Sequence, residues 1–291
     1  MRAWRPVLLG GLVGGLVLGP LLGALLGLAG GSAQAATLRV RAGEDLQAAL
    51  DAAAPGDVVE VERARHVGNF VVRKPLTLRG VSWPRLSGAN QGNTLQIEAS
   101  DVVVEGLLIS DSGVSLLAQN AGVQVRPGAH RAVIRGNQLS TNLFGLWIEK
   151  ADGVRVERNV ITGKRELLSP RRGNGVQLYN TRGARIEGNR IGFVRDALYI
   201  DVSHDAIFRG NELHHSRYGT HYMNSYRNLW EGNDSHHNRG GLALMEVRDN
   251  VVRNNRCWAN SDFGIMLRTV QDATVEGNVV KLTFDHTGNG L

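Results

Sequence analysis

Cysteine occurs once in the 291 residues, at Cys257. An intramolecular disulfide framework and a thiolate zinc cage are therefore excluded. Proline is scarce at 7 residues and aromatics make up only 5% of the chain. Four lysines stand among 33 basic residues, so arginine carries nearly all the positive charge. The formal net charge of +6 is dispersed with no basic run. That dispersion, with so few aromatics, argues against a dedicated nucleic-acid binder. No GxxxxGK[ST], HExxH or GxSxG occurs, and no GxGxxG follows a strand pattern. The usual nucleotide, zinc-protease and α/β-hydrolase signals are thus missing. What remains is a globular composition, 42% hydrophobic and 21% charged with 37 Gly, long enough to bury a sizeable core.

The first 35 residues read as an export signal. Arg2 and Arg5 form a basic start, Val7 to Gly31 carries no charge, and Ala33-Gln34-Ala35 is a small-residue cleavage site. The apolar run is also long enough to span a bilayer, so a retained anchor is the competing reading. Cleavage after Ala35 leaves a mature domain over residues 36–291. A lone cysteine suits an exported protein that does not rely on disulfides.

The mature chain is a repeat. Asn137, Asn159, Asn189, Asn211, Asn233, Asn255 and Asn278 follow one another at spacings of 22, 30, 22, 22, 22 and 23. Most are preceded by Gly. The single long interval holds eight extra residues near Lys164–Arg172, as a loop insertion does in a repeat that keeps its register. A second marker follows each Asn, as in Gly145-Leu146-Trp147-Ile148, Gly219-Thr220-His221-Tyr222 and Gly241-Leu242-Ala243-Leu244. Within each unit apolar residues alternate with period two, which means short half-buried strands. Short strands in a unit of this length predict an all-β fold, a single-stranded parallel β-helix. The crossover rule makes it right-handed. The aligned Asn residues should stack inside a turn, each amide bonding the next coil. Asp45 to Ala54 is the one good helix pattern, stopped by Pro55-Gly56, and should cap the N-terminal end. Strands are expected at 58–61, 70–72, 76–78 and 102–109. After Asn278 no second marker or polar cap follows, so either a partner covers that end or coils are missing.

The register converts clusters into geometry. Six of nine histidines fall between His204 and His237, and all three non-initiator methionines between Met223 and Met266. His214 and His236 share a repeat position, as do His215 and His237, and should stack on successive coils about 4.8 Å apart. Such pairs share a metal ion or serve as polar turn residues. Counting outward from the Gly marker, one exposed column is Trp147, Gln177, Tyr199, His221, Ala243, Met266. The next is Glu149, Tyr179, Asp201, Met223, Met245, Arg268. His221, Met223, Met245 and Met266 therefore share a face. Thioether plus imidazole is a ligand set for Cu(I), whereas an apolar partner-binding patch explains the same residues without a ligand. His214 and His236 are a second choice for metal. Cys257 takes an inward position and reads as core. A carbohydrate-active enzyme, whether lyase, epimerase or hydrolase, is the competing function, with Asp201, His204 and Asp205 beside Glu149 and Tyr199 as acid and base groups. A scaffold that binds no ligand is a third reading.

Ser216-Arg217-Tyr218-Gly219-Thr220-His221-Tyr222-Met223 and Asn238-Arg239-Gly240-Gly241-Leu242-Ala243-Leu244-Met245 closely resemble the NosD family, and Gly264-Ile265-Met266-Leu267-Arg268 fits as well. NosD proteins are parallel β-helix repeat proteins of the CASH superfamily. The likeness runs from about Thr37 to Gly277. It implies a non-catalytic periplasmic accessory protein for copper-site maturation of nitrous oxide reductase in denitrification. It also implies an ABC-type membrane complex, a copper chaperone lipoprotein and the reductase itself as partners, with copper bound transiently. Lys281 to Leu291 departs from the family pattern, which implies a truncation or frameshift there.

Overall fold

A computed structural model describes residues 35–281. The expected signal sequence, apart from Ala35, and the C-terminal departure beyond Lys281 lie outside the described residues. Among the described residues no helix is long and apolar enough to cross a membrane.

Each repeat unit winds once through three parallel sheets. In one coil Ile207–Arg209 belongs to an eleven-stranded sheet, Glu212–His214 to a ten-stranded sheet and Tyr218–Met223 to a nine-stranded sheet. We call these sheets 1, 2 and 3. Every pairing is parallel and joins neighbouring coils. This is the expected parallel β-helix. The Lys164–Arg172 insertion leaves the register intact, because Leu146 still pairs with Val176 and Val176 with Leu198. The insertion carries a short 3-10 turn at Ser169–Arg171, and its Leu167 packs against the buried cluster of Ala121, Leu143 and Phe144.

The Asn ladder explains why the repeat folds this way. Asn211 accepts from the Asn189 backbone and side-chain amides at 3.0 Å, and donates to Asn233 at 2.9 Å and to the Ile186 carbonyl at 2.8 Å. The same bonds recur along the column, from Asn137 to Asn278. Each buried amide is thereby satisfied, which removes a penalty of about 1–3 kcal/mol per unpaired group. The preceding residue must be left-handed. Gly188, Gly210 and Gly232 have φ of 63°, 60° and 63°, a region glycine enters without a Cβ penalty.

The core is the inside of the coil stack. Ile134, Val156, Ile186, Phe208, Trp230 and Val252 line one column, all fully buried. Phe208 and Trp230 stack at 3.9 Å. Leu139, Ile161, Ile191, Leu213, Ser235 and Cys257 line another. Helix α1 (Leu46–Ala52) covers the N-terminal end, with Leu46 and Leu50 in the core and Asp45 accepting from the Ala48 amide as N-cap. The expected strand over 102–109 is two, Val103–Glu105 and Leu108–Ser110. Gly106, at φ 72°, turns the chain from sheet 1 to sheet 2 between them.

Candidate functional site

Sheet 3 carries the two outward columns in the expected register. Trp147, Gln177, Tyr199, His221, Ala243 and Met266 are successive partners, and so are Glu149, Tyr179, Asp201, Met223, Met245 and Arg268. The face is less open than its alternation suggests. The His221 side chain is 14% exposed, and Met223, Met245 and Met266 are half-buried. Ala243 points outward by register yet is fully buried. In the first column it stands between His221 and Met266, and Met223 and Met245 are partners in the second.

His221 is held from behind. Its Nδ1 lies 3.3 Å from Asp196 Oδ2 and 3.2 Å from the Arg217 guanidinium. Asp196 is fully buried and takes a forked contact from Arg217, with Nε to Oδ1 at 2.8 Å. Burial opposes ionisation of Asp196, but hydrogen bonds from His221 and Arg217 outweigh it and hold the pKa below the ordinary carboxylate value. An anionic carboxylate at Nδ1 fixes the Nδ1–H tautomer and leaves the Nε2 lone pair for a ligand. This carboxylate–imidazole pairing is how metal-ligating histidines are oriented. Tyr199 and Tyr218 pack edge-on against the ring at 4.8 and 5.6 Å. The Tyr199 hydroxyl donates to the Met223 sulfur at 3.9 Å. Burial, then the nearby Asp201 charge, raises the Tyr199 pKa, so it stays a neutral donor. Among the described residues no three His, Cys, Asp or Glu side chains converge as a metal cage. The soft donors on this face are one imidazole nitrogen and three thioethers, types that suit monovalent copper rather than a hard cation.

A second group sits where sheet 2 turns into sheet 3. His214 and His236 are register partners whose rings stack at 5.6 Å, and His215 and His237 stack at 5.2 Å. Within each coil the two rings meet through Nδ1, at 2.9 Å for His214–His215 and 2.8 Å for His236–His237. Phe193 closes one end of the stack and Trp258 the other. Burial pushes the His214 pKa down to about 4 and lowers that of His215. His214 is buried, whereas His215 and His237 are exposed.

The carboxylates divide. Asp201, Glu149, Trp147, Tyr179, Tyr199 and His221 line an open groove of about 520 Å³ on sheet 3. His204 and Asp205 do not line it. His204 stacks on Tyr226 at 5.0 Å and accepts from its backbone amide, while Asp205 is ion-paired with Arg227 at 2.7 Å. The three residues expected to act together are thus not assembled at one site. Cys257 is core, as expected, and burial pushes its thiol up to about 12. Sequence reasoning missed Asp196, Arg217, Phe193 and Trp258. The first two carry no repeat marker, and only the column alignment of Asp196 with Tyr218 would have placed the acid beside this face.

Residues 157–291 match the family model described as NosD, periplasmic copper-binding protein. A Stutzerimonas stutzeri protein named probable ABC transporter binding protein NosD is 35% identical over 213 residues, covering 73% of this chain and 49% of that protein. The Pseudomonas aeruginosa protein of the same name is 37% identical over 132 residues, covering 45% of this chain and 31% of that protein. The resemblance to NosD stands on these matches, and the chain spans about half the length, or less, of these relatives. Among solved structures, an alginate lyase from Paenibacillus sp. str. FPU-7 aligns with a TM-score of 0.66 at 16% identity, covering 86% of this chain and 98% of the lyase. A polygalacturonase from Erwinia carotovora gives 0.66 at 12% identity, covering 85% and 92%. At such identities these likenesses establish the fold alone.

Proposed function

We propose that this chain is a periplasmic accessory protein that carries copper during assembly of the copper site of nitrous oxide reductase. Its partners are an ABC-type membrane complex, a copper chaperone lipoprotein and the reductase. The reading includes export by residues 1–35 with cleavage after Ala35. Copper is cargo here, held by His221 Nε2 and the sulfurs of Met223, Met245 and Met266. The observation that supports this reading is that His221, backed by buried Asp196, shares the outward face of sheet 3 with Met223, Met245 and Met266. All of these residues lie in the segment that matches the copper-binding family model. Thioethers are neutral and soft, so such a set accepts Cu(I) and releases it to a stronger acceptor without moving protons. The half-buried setting limits water while leaving one side open for transfer. The relatives' printed name, ABC transporter binding protein, supports the membrane partner.

The test is the copper content and activity of nitrous oxide reductase from a host lacking this gene, with and without this chain restored. Copper-loaded reductase only on restoration supports the reading. A fully loaded reductase in the deletion host contradicts it.

One observation favours a second reading. The sheet 3 groove sets Trp147, Tyr179 and Tyr199 beside Glu149 and Asp201, an arrangement that suits a sugar chain and acid–base chemistry on it. A glycan-degrading activity that falls sharply in Asp201→Asn would support that reading, and no activity on acidic polysaccharides would remove it.

A further inference from the structure

The paired histidines between sheets 2 and 3 form a group distinct from the methionine face. His214 and His215 are consecutive, as are His236 and His237, and the two pairs lie in register on successive coils. Consecutive residues in a strand point to opposite sides. Here the second residue of each pair is left-handed, with φ of 49° at His215 and 52° at His237. That turn brings each ring back beside its neighbour, so both Nδ1 atoms of a pair face each other at 2.8–2.9 Å. The same corner is left-handed at Phe193 and Ala259 in the adjacent coils, so the fold supplies the turn that the histidines use.

The surroundings are built for the rings. Gly192 occupies the same column one coil before His214, and a Cβ there would lie 2.4 Å from the His214 ring. Phe193 stacks on His215 at 4.8 Å and Trp258 on His236 at 4.7 Å. The Trp258 indole is tied to Asp234 at 2.6 Å. Four imidazoles thus stand as two tiers between two aromatic lids, with His215 and His237 the exposed members.

We propose that each tier is a two-coordinate site for monovalent copper, held between the two Nδ1 atoms. The proposal takes the identity of the metal from the copper reading above, but not the location of the site. A histidine–metal bond is about 2 Å, so each pair opens from 2.8–2.9 Å to about 4 Å. The exposed rings, His215 and His237, make that movement. The tiers cannot share one ion, since ring centroids 5.2–5.6 Å apart leave an ion midway beyond bonding distance of both. Zinc prefers four ligands, and a tier offers two. Imidazole suits copper, and a monovalent closed-shell ion is satisfied by two nitrogens in line.

Protons balance without net release. His236 Nε2 faces Glu212 at 3.4 Å and donates to it, so its Nδ1 accepts from His237 Nδ1–H. When copper enters, the His237 proton moves through water to its exposed Nε2. Both rings remain neutral ligands.

The test uses the full chain with Cu(I) alone, without oxygen, reading bound equivalents by equilibrium competition and the first shell by copper X-ray absorption. In a Met223→Leu, Met245→Leu, Met266→Leu variant the expected result is about two equivalents with nitrogen-only ligation. Adding His215→Asn and His237→Asn, both on exposed side chains, should remove both equivalents. A folded methionine variant that binds no copper overturns the tiers and leaves the methionine site standing. Nitrogen-only copper in the unmodified chain keeps the tiers and overturns the methionine site. Should the fivefold variant misfold, imidazole nitrogen NMR of the unmodified chain decides. Copper must shift the Nδ1 resonances of all four rings, and unshifted Nδ1 signals overturn the proposal.

Discussion

Asp196 Oδ2 lies 3.3 Å from His221 Nδ1, and the same carboxylate is clasped by Arg217. A fully buried acid thereby fixes the orientation of a half-buried imidazole on the face where Met223, Met245 and Met266 gather. Asp196→Asn keeps the shape and removes the charge. We expect copper affinity at the His221–methionine face to fall about 10–100-fold, the usual scale for losing such a supporting carboxylate. His221→Ala should lower it as well, and the double variant should be no weaker than His221→Ala alone. Additive losses by competition titration would mean Asp196 does not act through His221.

The ladder sets stability. Asn211→Ala strips acceptors from two Asn189 amides and donors from Asn233 and the Ile186 carbonyl. With about 1–3 kcal/mol for each buried group left unpaired, urea unfolding should show a loss of about 3–5 kcal/mol. A loss below about 1 kcal/mol would mean that the ladder is not what holds the coils in register.

Acid should weaken the fold through His214. Burial, opposed by Glu212 and helped by His215, holds its pKa down at about 4, against about 6.5 in an unfolded chain. Between those values the unfolded chain binds more protons, so stability falls as pH drops from about 6.5 to about 4. His214→Asn removes that share of the acid dependence. Identical pH profiles for the two proteins, read by chemical denaturation, would contradict this.

The single thiol should be silent. Cys257 is fully buried and its pKa is pushed up to about 12, first by burial and then by the nearby Asp234 charge. The native chain should resist a thiol reagent at neutral pH and react at once in denaturant. Cys257→Ala should leave copper binding unchanged, and lost binding would make the sulfur a ligand after all.

Much of the architecture was legible because every coil repeats the same demand. A buried amide needs a partner above and below, so Asn211 and its equivalents mark the spacing, and the spacing assigns columns. The columns then place His221, Met223, Met245 and Met266 on one face. What the pattern did not reveal depends on side-chain shape. Ala243 is fully buried although its register points it outward. The Asp196–His221 contact joins positions 25 apart through a column that no motif marks. The Nδ1 contacts of the histidine pairs require the left-handed turn at His215 and His237, where glycine would be the residue expected. His204 and Asp205 looked like partners of Asp201 by sequence proximity, but the chain turns away from the groove between them and each satisfies itself locally.

The most direct test of the central claim is the Cu(I) dissociation constant of this chain against Met223→Leu, Met245→Leu and Met266→Leu, singly and together. Leucine nearly conserves volume, so stability should change by less than about 1.5 kcal/mol per substitution. The account predicts that sulfur ligation disappears from the copper X-ray absorption spectrum of the triple variant and that the tightest binding weakens at least tenfold. Unchanged affinity and an unchanged spectrum in a folded triple variant would show that this face does not hold copper.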